Sequence, residues 1–487
     1  MKTRVLLSLA LIMSAVCMNL VAQTPTIDPY EYPALNGGKY TLTNQWIYSV
    51  PTENFGKDVF TLEPFVAAAP TARHMAYWNG KLLISERGTK NIHVINAATG
   101  EVEDIIEFDF EADRTYGNSD ILVDNAGNVL VANIGLSWNG YRVYKLDMET
   151  GEGTLLIDNY IPTKGRVDHI SVLGDVNGDA VIFGPVGGGE GGRYIYRWTI
   201  TDGELVSNAA EEIRIDYEAG GFVPDELFGF APSAMGDVIG FSTRCYPFSE
   251  ELVFYEGFET FPTLLYINGD EAIAYDSYYD LEDLTLPIPD ALANDENTIP
   301  GTTLGMSVNC NGFAFFNVGD DYFFVRPVYN NTGVVPVSYR VHKYKDDNLM
   351  FREAEALWTF PAEGLGSNAT NNGVYPVAVS VEDTKATIYI YAAHNGIAAY
   401  EFDTDAEVEE EPDGIKFPNA AGFTVYPGNK AIQFSTTVAS AQVFSVTGQL
   451  IAKENNTAFM PIETPGVYVV KATALNGETV VSKVIIK

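Results

Sequence analysis

The chain has 487 residues, 46% apolar and 12% aromatic, and its 65 Asp and Glu against 29 Lys and Arg give a formal net charge of −36. So acidic a chain meets nucleic acid or an anionic lipid surface with repulsion, which excludes both as natural partners, and its apolar content excludes a disordered polymer. The length fits two to four domains.

Residues 1–22 read as a secretory leader. Lys2 and Arg4 precede an apolar run over 5–13, and Leu20-Val21-Ala22 stands before Gln23, with cleavage expected after Ala22. A lipoprotein anchored through Cys17 is the rival, weakened by bulky Val16 where a small residue is preferred. No later segment approaches the roughly 18 to 20 apolar residues of a transmembrane helix. The chain is therefore expected to be exported, through the periplasm to the cell surface or the medium. Cys245 and Cys310 then remain, and two buried free thiols are favoured over one disulfide, because a core this large needs no covalent staple.

Short alternating or aromatic-rich runs separated by Gly, Asn and Asp turns fill most of the chain, the signature of an all-β protein. A four-strand unit emerges first at 74–77, 81–85, 92–96 and 102–108, and it recurs at 121–123, 129–132, 141–146 and 154–157. Looser copies begin at His169, Gly229, Met306 and Val377, the fourth taken as 229–234, 238–242 and 263–267, the fifth as 306–308, 313–317 and 339–344. Six units of this kind predict a β-propeller, with seven blades the alternative count, since each small sheet buries its faces only against its neighbours. The last unit ends at Phe402 one strand short, so the segment around Gln45 to Ser49 is expected to complete it and close the ring, a separate N-terminal hairpin being the alternative.

Residues 403–417 form an acidic linker ahead of a compositionally different region, 418–487, with five Lys and three Glu. Its alternating strands predict a small C-terminal β-sandwich. Val425-Tyr426-Pro427, Val443-Phe444-Ser445-Val446-Thr447-Gly448, Pro465-Gly466-Val467-Tyr468 and the ending Lys483-Val484-Ile485-Ile486-Lys487 resemble the C-terminal sorting domain of type IX secretion substrates of Bacteroidota. The resemblance implies that this region engages the secretion machinery. Gly428-Asn429 replaces the usual Asn-Pro after Tyr426-Pro427, which leaves a relative that is not processed as the alternative. The propeller region is similar to uncharacterised secreted propellers of the same bacteria, through Thr71-Ala72-Arg73-His74-Met75-Ala76 and the turn at 96–101.

Gly187 to Gly192 matches a dinucleotide fingerprint in letters, but it lies between two strands where a phosphate cradle needs a helix. Asp175-Val176-Asn177-Gly178-Asp179 spaces oxygen donors as calcium loops do, yet Ala180 replaces the loop glycine and Val186 the final carboxylate, so a polar hairpin turn is expected. No metal or cofactor motif is complete and no nucleophile elbow occurs. The aromatic and acidic stretches 246–262 and 278–284 suit either sugar stacking or packing of an insertion, with packing preferred.

The strongest candidate site gathers residues that open the innermost strands or occupy the matching loops: Arg73, His74, Arg87, Asn118, Asp120, Asn133, Arg166, Asp168 and His169. Such a cluster at the channel mouth could orient a polar ligand or work as acid and base. The resulting expectation is a non-catalytic propeller that binds a glycan or a protein, against the alternative of a propeller lyase or hydrolase.

Overall fold

A computed structural model describes residues 28, 30–49, 72–110, 115–187, 193–216, 243–257, 260–277, 312–319, 321–328, 337–344, 354–366, 368, 375–404, 425–428, 430–445, 450–462, 464, 466–474 and 479–486. The leader, Cys17, most of the linker and Cys310 lie outside these residues. No described helix is long and apolar enough to cross a membrane.

The first two blades follow the sequence pattern closely. Ala72–Trp78, Lys81–Glu86, Asn91–Asn96 and Val102–Glu107 form one antiparallel sheet; Asp120–Val123, Val129–Ala132, Tyr141–Leu146 and Gly153–Tyr160 form the next. Their middle strands are rich in Leu, Ile and Val that are buried, as strands covered on both faces require. The third blade has an interrupted inner edge, Arg166–Val167 and Ser171–Gly174, against Ala180–Gly187, then Tyr194–Thr201 and Glu211–Asp216. Blade six consists of Val377–Glu382, Lys385–Ala392 and Gly396–Asp403, completed by the N-terminal strand Thr41–Ser49.

The strands of blades four and five differ from the expectation. Blade four is Arg244–Pro247, Leu252–Gly257, Thr260–Asn268 and Glu271–Ser277, and blade five is Ala314–Val318, Asp321–Val328, Ser338–Lys343 and Glu355–Phe360. The stretch from Tyr246 onward is thus blade, not insertion, and Phe313 to Asn317 belongs to an innermost edge rather than a second strand. The runs 229–234 and 238–242, expected as the first two strands of the fourth unit, and 306–308, expected as the first of the fifth, lie outside the described residues. An outer union joins blades three and four, where Arg214, Ile215 and Asp216 pair in parallel with Glu271, Ala272 and Ile273.

These six sheets close into a ring. The inner strand of blade one packs against those of blades two and six, blade three against four, and blade five against six. A bridge between Gly135 and Val167 joins blade two to three, and Phe248, Leu252 and Phe254 share a core with Phe313, Phe315 and Phe324 between blades four and five. The N-terminal strand does more than fill blade six: Trp46 and Tyr48 reach blade one, where Gly100 lies so close that a Cβ would stand 2.7 Å from the Trp46 ring. All six innermost strands line one central cavity of about 400 Å³. Elsewhere Arg326 and Glu256 form a buried ion pair between blades five and four, with Arg326 Nε 3.0 Å from Glu256 Oε1.

The C-terminal strands Val425–Gly428, Ala431–Ser445, Leu450–Pro461, Gly466–Thr473 and Thr479–Ile486 form a single curled sheet. The long second strand shifts register between Gln433 and Val438, so its two halves serve different neighbours and the sheet folds over one core of Ile432, Phe434, Val443, Val470 and Val484. The sandwich is made by bending one sheet.

Candidate functional site

Four blades deliver a polar side chain to one end of the channel: His74 from blade one, Asp120 from blade two, His169 from blade three and Arg244 from blade four. Local sequence explains the third. In that blade Val167 pairs with Val186 and Ser171 with Phe183, so Asp168, His169 and Ile170 lie opposite Gly184-Pro185. Proline has no N–H for the ladder, and the inner strand breaks there. The Ile170 N–H thereby released donates to Asp120 Oδ2 at 2.9 Å.

Asp120 is the hub, and it is 0% exposed, as are His74 and His169. His74 Nδ1 lies 3.5 Å from its Oδ1 and His169 Nδ1 3.6 Å from its Oδ2. Arg244 Nη2 approaches Oδ1 at 3.3 Å, and the Ile121 N–H donates to the same oxygen at 3.0 Å. The two imidazoles meet edge to face with centroids 4.2 Å apart. Burial alone would raise the Asp120 pKa, but Arg244, His74 and His169 together outweigh it and hold the carboxyl well below its usual range. Burial lowers the pKa of His169 despite the neighbouring carboxylate, so the ring is neutral near pH 7. The charge that keeps Asp120 ionised there is therefore chiefly that of Arg244.

An outer layer surrounds this hub. Arg166 clasps Asp168 with Nε at 2.8 Å and Nη2 at 2.6 Å from Oδ1, itself 26% exposed. Arg87 is half-buried beside them; burial lowers its pKa and the Arg166 charge lowers it further, with Asp168 and Tyr116 offsetting in part. Among the described residues no carboxylate comes within ion-pair distance of Arg87. The Tyr116 ring in turn meets Trp138 edge-on at 5.7 Å, and Trp138 is 67% exposed.

The structure thus brings His74, Asp120, Arg166, Asp168, His169 and Arg87 together, and it gives the two asparagines other work. Asn118 donates to the carbonyls of Thr89 and Phe108, and Asn133 donates to Gly140 O while accepting from the Arg142 N–H. Both are fully buried and hold loops in place. The backbone of Arg73 lies at a bulge between the pairs Ala72/Glu86 and His74/Ser85.

Arg244, Tyr116 and Trp138 were not on the sequence-derived roster. Arg244 opens the fourth inner strand as His74 and Asp120 lie at the start of theirs, a signal hidden because that strand was sought upstream at 229. The other motifs resolve as packing or turns. Phe248, Phe254 and Tyr255 are buried in blade four, while Phe258 and 278–284 lie outside the described residues. Asp175 receives the Asn177 and Gly178 N–H groups, on its carboxylate and its carbonyl, and Lys145 reaches the Asn177 amide oxygen, so the loop spends its donors and acceptors as a hairpin turn. Gly187 ends a strand, with 188–192 outside the described residues. Cys245 is a buried free thiol whose pKa burial raises.

No protein-family model matches the chain, and no curated protein does. Among solved structures it is similar to a Bacteroides fragilis protein described as exported, with 12% identity over 77% of this chain and 98% of the other at a TM-score of 0.35. The soluble aldose sugar dehydrogenase of Escherichia coli gives 10% identity over 75% and 99% of the two chains, TM-score 0.37. The β-propeller domain of the Trilobed protease of Pyrococcus furiosus gives 8% over 80% and 98%, TM-score 0.29. At these scores the likenesses carry no weight for binding or activity. The six-bladed propeller rests on the strand order and the closed ring.

Proposed function

We propose that this is an exported binding propeller whose channel mouth takes a carboxylate-bearing glycan, delivered by the leader at 1–22 and by the sorting-type domain at 418–487. The observation that carries the reading is Arg87, a half-buried guanidinium beside Arg166 with no carboxylate among the described residues within ion-pair distance, in a chain of net charge −36. A guanidinium fork fits a carboxylate, and the exposed Trp138 beside Tyr116 offers a face on which a sugar ring stacks. Binding is favoured over catalysis because His74 and His169, the natural acid and base of the cluster, have no exposed surface from which to reach a substrate.

A panel of uronate-containing and neutral oligosaccharides, measured by calorimetry, tests this. Arg87→Ala and Trp138→Ala should each weaken acidic-glycan binding about tenfold or more while leaving the melting temperature nearly unchanged, as loss of a charged hydrogen bond or a stacked ring implies. Equal affinity for neutral and acidic sugars, or no binding by the parent, sinks the assignment. Export is tested in a host with the type IX system: removal of 418–487 should strand the protein in the periplasm, and surface display that survives would give that domain another role.

A further inference from the structure

We propose that His74, Asp120 and His169 form a closed site for one divalent transition-metal ion, zinc by the character of its donors, which ties the first three blades together at the channel end. The distances argue for it. At 3.5 and 3.6 Å the two imidazole–carboxylate approaches are too long for hydrogen bonds, which cluster near about 2.9 Å. They fit two ligands on one tetrahedral ion, whose bonds of about 2.0 to 2.1 Å put neighbouring donors roughly 3.3 to 3.4 Å apart.

Burial supplies the second argument. Neither ring nitrogen of His169 has a hydrogen-bond partner, although the ring is 0% exposed. A buried polar atom left in that state costs about 1 to 3 kcal/mol, and ligation through Nδ1, the nitrogen that faces Asp120, removes the cost at that atom. One ligand atom from each of the three residues lies within 4.8 Å of the others. Because Oδ1 faces His74 and Oδ2 faces His169, a two-oxygen Asp120 and two imidazoles supply four donors, the number a closed structural site needs, in a tetrahedron distorted by the narrow angle that one carboxylate's two oxygens span. The carboxylate is already oriented by the Ile121 and Ile170 N–H groups, as outer partners orient metal ligands elsewhere. Arg244 works against a dication, and the imidazoles must outweigh it. With no ligand exposed, the ion is structural: it adds a tie at the channel end to the packing and the few hydrogen bonds that join these blades.

The full chain, stripped with a chelator and dialysed, should take up one equivalent of zinc by calorimetry and gain several degrees in melting temperature. His169→Gln and His74→Gln should each lose about tenfold or more in zinc affinity, and His394→Ala should not. A parent that binds no stoichiometric zinc overturns the proposal, and so does full uptake by both glutamine variants when circular dichroism shows them folded. Should both fail to fold, cobalt in the parent decides. Intense visible bands of tetrahedral Co²⁺ support the site, and the weak bands of a six-coordinate ion overturn it.

Discussion

The indole Nε1 of Trp46, on the N-terminal strand, donates to the carbonyl of Ala97 in blade one at 3.0 Å. Tyr48, two residues on, reaches Thr99 O at 3.1 Å. The strand that completes blade six is thereby fastened to blade one, so the ring closes through side chains as well as through the ladder of Thr41–Ser49 on Gly396–Asp403. Trp46 is 1% exposed, and Trp46→Ala is expected to cost about 3 to 5 kcal/mol in urea denaturation, the range for a large buried aromatic. A loss below about 1 kcal/mol would mean that the ladder alone holds the ring.

Two glycines separate backbone strain from packing at this seam. Gly80 and Gly100 share the same left-handed φ of +75°, but nothing lies within 4 Å of the Cβ position at Gly80, whereas at Gly100 the Tyr48 and Trp46 rings stand 2.6 and 2.7 Å away. Gly80→Ala should therefore cost only the conformational penalty, about 1 kcal/mol. Gly100→Ala should cost that plus about 1 to 3 kcal/mol of overpacking. Equal melting temperatures for the two variants would contradict the close fit.

His342, buried in the third strand of blade five, should make the protein acid-sensitive. Burial first, then the charges of Arg326 and Arg340, put its pKa well below the ordinary 6.5, and Phe324 covers it from the adjacent strand. The folded state keeps the ring neutral while the unfolded chain protonates it, so its contribution is present above pH 6.5 and is lost as pH falls below that value. The stability of the parent relative to His342→Gln should fall by about 1.4 kcal/mol for each pH unit below the unfolded pKa. Parallel pH profiles for parent and variant would show that the histidine is not held neutral.

Much of the architecture was written locally. Alternation and turn residues marked the strands of blades one, two and six, because a strand covered by neighbouring blades must be apolar along its middle and punctuated by Gly, Asn or Asp at its ends. The missing strand after Phe402 even called for the segment around Gln45 to Ser49, which the structure extends to Thr41–Ser49, since an unpaired edge is a liability that topology has to resolve. Blades four and five were not legible in the same way. Tyr246 to Pro262 is so rich in aromatics that it reads as a binding insertion, and only the packing of Phe248 and Phe254 on Phe313 and Phe315 makes it a blade.

The site divides along the same line. His74, Asp120 and His169 could be named from their equivalent places in successive units, a one-dimensional regularity. That Asn118 and Asn133 serve loops was decided by the backbone groups folded around them; that Arg244 completes the hub and that the two histidines meet over one carboxylate were decided by ring closure. It brings together residues as far apart in sequence as His74 and Arg244, and periodicity within one strand carries no record of what stands across the channel.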